Sequence, residues 1–175
     1  GVLSWQDGRL TIDAYEPWRA PCEVPADDRA AADRFRALVV DAVAADIDDA
    51  AGTWADLSGG HDSSSVAAVG GWLARHQGRA FRGGVTIVDS LGHGDESEFA
   101  DEVSRAYALG AIRVVDPWPW RDDREAPPAT PAPARDYPHW ARDRQVAREL
   151  RRRGDGVLLS GVGPDYYLPR SPWYA

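Results

Sequence analysis

The clearest chemical signal in the sequence is a run of small and polar residues that joins two apolar segments. Thr53 to Leu57 precedes it and predicts a buried strand, and Val66 to Arg75 follows it and predicts a helix. Glycines at 59 and 60 allow backbone N–H groups to approach an anion closely, and the free N–H groups of a helix start favour negative charge. This order therefore predicts an anion-binding loop. It consists of Leu57, Ser58, Gly59, Gly60, His61, Asp62, Ser63, Ser64 and Ser65.

The polar side chains of this loop indicate which anion it binds. Ser58, Ser63 and Ser64 add hydroxyl donors. Asp62 would repel a phosphate unless a cation lay between them, so we interpret it as a Mg²⁺ ligand, because Mg²⁺ is held by one or two carboxylates together with phosphate oxygens. The alternative is a Gly/Ser turn that only caps the helix, with Asp62 or Ser63 as the N-cap.

The loop is not a Walker A loop, which ends in Gly-Lys-Ser/Thr, since the chain contains no lysine. The pattern Ser-Gly-Gly-x-Asp-Ser instead resembles the pyrophosphate loop of the ATP pyrophosphatases. These enzymes cleave ATP between the α and β phosphates and adenylate a substrate. The resemblance implies ATP and Mg²⁺ as cofactors.

Strands and helices are predicted to alternate along most of the chain, which favours an α/β fold with a parallel sheet flanked by helices. Before them, Asp7-Gly8 between two short apolar runs predicts a β-hairpin. We expect a hairpin and Pro-rich linker over 1–25 and one α/β domain over 26–175. The predicted helices are Asp27 to Ile47, Val66 to Arg75, Glu96 to Leu109 and His139 to Arg153, and the predicted strands are Thr53 to Leu57, Phe81 to Val88, Ile112 to Val115 and Gly156 to Ser160.

A second group of residues follows the last predicted strand. In an open parallel sheet, ligands bind beyond the carboxyl ends of the strands. Three strands end near Leu57, Ile87 and Ser160-Gly161, so we expect these ends to converge on one nucleotide. Asp165 follows the third, and Asp62 and Asp165 together predict a shared Mg²⁺ on the pyrophosphate.

The two motifs together resemble the synthetase domain of the asparagine synthetase family. Ser58 to Ser64 reads Ser-Gly-Gly-x-Asp-Ser-Ser and Ser160 to Asp165 reads Ser-Gly-x-Gly-x-Asp, while Asp95-Glu96 at the start of the third predicted helix also fits. The resemblance spans roughly residues 27 to 168 and implies an adenine nucleotide α-hydrolase-like fold and an acyl-adenylate mechanism. The resemblance implies that Asp62 and Asp165 bind Mg²⁺. It implies that the pyrophosphate is bound by Ser58, Gly59, Gly60, Ser63 and Ser64. It also implies that Leu57, Ile87 and Gly161 lie near adenosine and that Ser160 belongs to the same nucleotide site.

Departures from the family pattern shape the functional hypothesis. Val162 stands where asparagine synthetases have an acid and β-lactam synthetases a tyrosine, and an aliphatic residue there resembles the cyclases that close the isopeptide ring of lasso peptides. The family's catalytic lysine is absent from this chain, so the catalytic residue stays unknown and the domain is expected to be C-terminally incomplete. Cys22 lies in the Pro-rich linker and does not match the nucleophile of a glutaminase domain.

The amino-acid composition narrows the possible classes of function. The net charge of −8 argues against a nucleic-acid surface, and no apolar run approaches the roughly 20 residues of a membrane span. A lone cysteine makes no internal disulfide, so we expect a cytoplasmic protein. We expect a small-molecule or peptide carboxylate as substrate, with a precursor peptide, leader-processing proteins and a chain that supplies the missing C-terminal part as partners. Asparagine or β-lactam formation and a non-catalytic nucleotide-binding module remain alternatives.

Overall fold

A computed structural model of the chain describes residues 2–13, 26–89, 96–116, 140–154 and 156–162. Their secondary structure alternates between strands and helices after an initial pair of strands. The elements are β1 (Val2–Gln6), β2 (Arg9–Asp13), α1 (Asp28–Asp46), β3 (Thr53–Asp56), α2 (His61–Gln77), β4 (Phe81–Asp89), α3 (Ser97–Tyr107), β5 (Gly110–Asp116), α4 (Trp140–Arg152) and β6 (Val157–Leu159).

The chain divides into two compact units, Gly1–Ala37 and Leu38–Ala175. In the first unit, β1 and β2 form the predicted antiparallel hairpin. Asp7 and Gly8 have φ angles of 50° and 76°, which is the conformation that a two-residue hairpin turn requires. The predicted linker lies outside the described residues, and the boundary between 25 and 26 stays a prediction.

The second unit contains a four-stranded parallel sheet with the strand order β5-β4-β3-β6. Helices α2 and α3 connect β3 to β4 and β4 to β5, and the chain then returns to place β6 on the other side of β3. The predicted α/β fold with a parallel sheet is thereby confirmed. Because β3 is central and both neighbours run parallel to it, the carboxyl ends of β4, β3 and β6 lie side by side.

Each face of the sheet has its own apolar core. On one face Ala55 and Leu57 pack with residues of α1, α2 and α3, and on the other Trp54 and Val85 pack with α4. An irregularity in β4 opposite Thr53 and Trp54 lets Phe81 join the first core although Val85 faces the second. Such a bulge adds one residue and reverses the alternation of side chains.

Helix α2 begins five residues earlier than the sequence predicts, so Asp62 to Ser65 lie within its first turns. Its other end matches a common cap, because Gly78 has a φ of 69° and donates its N–H to Ala74 O. None of the helices in the described part of the chain has the length and hydropathy of a membrane-spanning segment.

The core between α2 and the sheet predicts a large and local stability effect. Leu73 is fully buried in this core, whereas Leu38 on α1 is 49% exposed. We expect Leu73→Ala to lower the free energy of unfolding by about 2–5 kcal/mol, because it leaves a cavity. The matched Leu38→Ala should change it by about 0.5 kcal/mol or less. Urea unfolding of both variants measures the difference, and equal losses would contradict the described packing.

Candidate functional site

The loop between β3 and α2 lies where the strand order of the sheet reverses. From β3 the chain proceeds to β4 and β5 on one side, and β6 occupies the other. A reversal of this kind opens a crevice at the carboxyl ends of the two strands, and α/β proteins bind ligands there. Leu57 ties the loop to the sheet, since its N–H donates to Val85 O and its C=O accepts the Thr86 hydroxyl, both at 2.8 Å.

Two serines hold the loop in a fixed shape. The hydroxyls of Ser58 and Ser63 lie 2.9 Å apart, and Ser63 Oγ accepts the Ser58 N–H and donates to Gly60 O. Ser58 Oγ in turn accepts the Gly60 N–H at 3.4 Å. Ser63 is buried, so its hydroxyl stabilises the loop from within. Neither Asp62 nor Ser63 is the N-cap of α2, because Gly60 occupies that position without a side-chain bond.

The two adjacent glycines of the loop have different roles. Gly59 has a φ of +101°, and a Cβ at this position would lie 2.3 Å from Glu96 O, so both backbone conformation and space require glycine. Gly60 has ordinary angles (φ −69°, ψ 162°), and its nearest neighbours would be Ser58 Oγ at 3.6 Å and Glu96 Oε2 at 3.8 Å. The protein itself therefore leaves room for a side chain at Gly60.

The start of α2 presents hydrogen-bond donors that the helix does not use. The first helical bond runs from Ser64 N–H to Gly60 O, so the N–H groups of residues 61–63 precede the helical bonding pattern. Ser64 Oγ is buried, and it has no hydrogen-bond partner among the described residues. Asp62 lies partly buried in the same turn. This donor set fits a phosphate group, and Asp62 fits a cation bound to that phosphate.

Gly161 brings the second motif into direct contact with the first. A Cβ on Gly161 would lie 2.7 Å from Ser63 N and 2.9 Å from the carbonyl carbon of Asp62. Because these are backbone atoms, the turn after β6 can approach α2 this closely only with glycine at 161. The prediction that the ends of β3 and β6 meet at one place therefore agrees with the backbone positions.

The remaining predicted site residues lie on β4, after β6 and outside the described residues. Ile87 lies on β4, partly buried against the core on the α4 face, and Ser160 is exposed after β6. Asp165 lies outside the described residues, so its pairing with Asp62 stays a prediction. The described ranges contain no group of three or more His, Cys, Asp or Glu side chains that could hold a metal, and the role of Asp62 as a metal ligand stays a prediction.

Two acidic residues near the loop were not selected from the sequence as site residues. Glu96 contacts Gly59 through its backbone and Cβ, and the only sequence signal for it is its match to the family pattern before the third predicted helix. Asp56 ends β3 and is partly buried. Burial raises the pKa of the Asp56 carboxyl above its usual range, whereas the nearby Arg142 guanidinium and a hydrogen bond with Ser160 act against this rise.

A cavity of about 290 Å³ lies elsewhere, between β5 and α4. Two of its three arginines are already paired, Arg113 with Asp101 and Arg152 with Glu149. No predicted site residue lines it. The charge that it offers is therefore largely neutralised, and the strand ends around the β3–α2 loop remain the better candidate. The residues that line the cavity are Arg113, Val114, Val115, Gln145, Arg148, Glu149 and Arg152.

A parallel sheet with a helix N-terminus at its switch point is an arrangement at which α/β proteins bind ligands. The family model described as asparagine synthase matches residues 34–168, which is more than half of the chain. The chain therefore belongs to the asparagine synthase family. Membership of this family indicates an ATP-dependent amide ligase domain. None of the curated proteins matches the chain.

The different demands at the two loop glycines predict different stability effects. We expect Gly59→Ala to lower the free energy of unfolding by about 2 kcal/mol or more, because it combines a positive φ with a clash against Glu96. Gly60→Ala should cost about 1 kcal/mol or less, as expected for a poorer N-cap. Chemical denaturation of the two variants tests this, and a larger loss in Gly60→Ala would contradict the loop geometry.

The raised pKa of Asp56 predicts a specific pH dependence. Its folded pKa lies above the unfolded value, so ionisation opposes folding and the cost appears as pH rises through the folded pKa. We therefore expect Asp56→Asn to gain stability relative to the unmodified chain between pH 4 and pH 7. Unfolding free energies at the two pH values measure this.

Asp49 provides a control of opposite sign. Its carboxylate accepts the Ala80 N–H at 2.8 Å and the Arg79 Nε–H at 2.7 Å. Both contacts lower the pKa of Asp49, and the bond from the Ala80 backbone has the larger effect. Its stabilising effect is present above the unfolded pKa and is lost as pH falls through the folded pKa. Asp49→Asn should thus be relatively less stable at pH 7 than at pH 4. The same pH trend in both variants would contradict the described environments.

Proposed function

We propose that this chain is the nucleotide-binding core of an ATP-dependent carbon–nitrogen ligase that works through an acyl-adenylate. The observation that supports it most strongly is the contact of Gly161 with Ser63 and Asp62, which joins the two family motifs at the start of α2. A generic helix cap needs no such contact from a second strand. The Ser64 hydroxyl, which has no hydrogen-bond partner among the described residues, and the N–H groups of residues 61–63 supply the donors for a phosphate.

In this proposal the loop binds the β and γ phosphates, which leave as pyrophosphate. Asp62 and Asp165 would hold Mg²⁺, which would neutralise phosphate charge when bound. Gly60 lies closest to the bound anion, because the protein leaves space at its missing side chain. The fixed positions of Ser58 and Ser63 keep the loop donors oriented before the nucleotide arrives, so that little reorganisation accompanies binding.

The reaction consists of two displacements. A substrate carboxylate oxygen bonds to the α phosphorus while the bond from that phosphorus to the α–β bridging oxygen breaks, and pyrophosphate leaves with the electron pair. An amine nitrogen then bonds to the acyl carbon while the bond from that carbon to the oxygen that bridges it to phosphorus breaks. AMP leaves with that oxygen and the electron pair, and the amine loses a proton to water as the amide forms. The helix start contributes to the first displacement, where negative charge builds on the leaving pyrophosphate.

We further propose that the amide is an isopeptide or macrolactam bond, as in lasso peptide cyclases. Val162 follows directly after the Gly161 contact and is 68% exposed, and an aliphatic side chain there suits a peptide better than ammonia. The carboxylate substrate would then be part of a precursor peptide, with leader-processing proteins as partners in the cytoplasm. Formation of asparagine from ammonia or glutamine by the protein would contradict this substrate class.

A non-catalytic nucleotide-binding module is the second candidate. It is favoured by the absence of lysine from this sequence, because the family's catalytic lysine must then come from another chain or segment. Both candidates require Mg-ATP binding at the same loop, and only the ligase requires carboxylate-dependent exchange of pyrophosphate into ATP.

Nucleotide binding tests the site directly. We expect the chain to bind Mg-ATP. Asp62→Ala should weaken binding about tenfold or more, because it removes a predicted ligand of the Mg²⁺; a tenfold loss of affinity corresponds to about 1.4 kcal/mol. Gly60→Ala should weaken binding although it leaves the fold intact, because its methyl group enters the phosphate space. Isothermal titration calorimetry with excess Mg²⁺ measures both.

The control is Asp41→Ala, which removes an exposed carboxylate on α1 and should bind like the unmodified chain. Carboxylate-dependent pyrophosphate exchange that Asp62→Ala abolishes would support the ligase, whereas binding without exchange would support the non-catalytic module. Equal affinities of Asp62→Ala and Asp41→Ala would remove the loop from nucleotide binding and contradict both candidates.

A further inference from the structure

The cavity between β5 and α4 lies along the edge of the sheet rather than on one of its faces. Val114 packs with residues of α4, whereas Arg113 pairs with Asp101 on α3, which covers the opposite face. Side chains alternate along a strand, so Val115 shares the face of Arg113. All three strand residues nevertheless line the same cavity. A cavity that touches consecutive residues from both faces must run past the backbone of the strand.

The backbone of β5 has an edge that can accept a further strand. In the part of the chain that the structure describes, β5 stands at the end of the strand order and pairs with β4 alone. It is seven residues long, from Gly110 to Asp116. An edge strand presents a row of N–H and C=O groups with which another chain can pair. The cavity therefore exposes a hydrogen-bonding edge as one of its walls.

Helix α4 forms the other wall. Val146 and Leu150 pack α4 onto the sheet. The stripe beside them lines the cavity and consists of Gln145, Arg148, Glu149 and Arg152. These residues lie at helical spacing along roughly 10 Å of the helix, which is the length of about three extended residues. The β5–α4 groove is the space between this stripe and residues 113–115, and its dimensions fit a short extended segment.

The charges of the β5–α4 groove indicate what kind of segment fits. Arg113 pairs with Asp101, and Arg152 pairs with Glu149. Arg148 is exposed, and it has no ion pair or hydrogen bond within the described ranges. A guanidinium of this kind complements one carboxylate. The groove thus combines a backbone edge with a single cation that is available for a ligand.

We propose that the β5–α4 groove binds an extended peptide as an added strand on β5, with an acidic side chain of the peptide on Arg148. In strand addition, main-chain hydrogen bonds supply affinity and the side chains supply specificity. A second copy paired through β5 is less consistent with the groove, because it would bring Arg113 and Arg148 of both copies to one shared edge. Peptide binding here does not depend on the proposed function.

The test uses the full chain without nucleotide and a capped peptide of sequence Thr-Val-Glu-Val-Thr, whose β-branched residues favour an extended conformation. One control peptide has Gln in place of Glu, which removes the charge. A second is N-methylated at its three central residues, which removes N–H donors from both of its edges. NMR titration measures the dissociation constant of each peptide and shows which amides of the protein change.

We expect the largest shift changes at the amides of residues 113–115 and Arg148, and none at residues 59–64. Both control peptides should bind about fivefold or more weakly, a factor that one partly exposed ion pair can supply. Arg148→Gln should weaken binding of the Glu peptide to the level of the Gln peptide. The matched control is Arg151→Gln, which replaces an exposed arginine outside the groove and should bind like the unmodified chain.

Three results would overturn this proposal. The first is equal affinity of the three peptides, and the second is a set of shift changes that leaves out residues 113–115. The third is a change at these amides when the chain is diluted without peptide, because it would assign the edge to a second copy. If the chain bound no Mg-ATP, the proposed function would fail, and the peptide titration would still decide whether the groove accepts a strand.

Discussion

The backbone of Gly161 lies so close to the first turn of α2 that no side chain fits between them, and the candidate site depends on this contact. It can form only because β6 pairs with β3 on the side away from β4, which places the two strand ends next to each other. The sheet order thus brings together two motifs that are far apart in the sequence. A different position of β6 would leave an isolated helix start with no second group beside it.

The loop itself combines rigidity with unused donors. Ser58 and Ser63 bond to each other and to the loop backbone, and Leu57 fixes the entry of the loop to β4. The N–H groups of residues 61–63 precede the first helical bond, and the Ser64 hydroxyl has no hydrogen-bond partner among the described residues. A helix start that is held in place while its donors stay free is suited to bind an anion rather than only to end a loop.

Much of this arrangement could be predicted from the sequence, because it depends on local signals. The hairpin follows from Asp7-Gly8, the parallel sheet from alternating strands and helices, and the loop from its glycines and serines. The predicted start of α2 lies five residues after the observed one, because serines and aspartate favour loops in isolation. The irregularity in β4 and the contacts of Asp56 and Glu96 depend on the pairing of distant segments, which no local pattern specifies.

Backbone chemical shifts during a titration with Mg-ATP test the central claim most directly, because they show where the nucleotide binds. If the nucleotide binds at the strand ends, the largest shift changes will occur at the amides of Gly59 to Ser64 and at Gly161. Changes concentrated at Arg113, Arg148 and Arg152, which line the cavity between β5 and α4, would contradict the account, and so would the absence of any change at the loop.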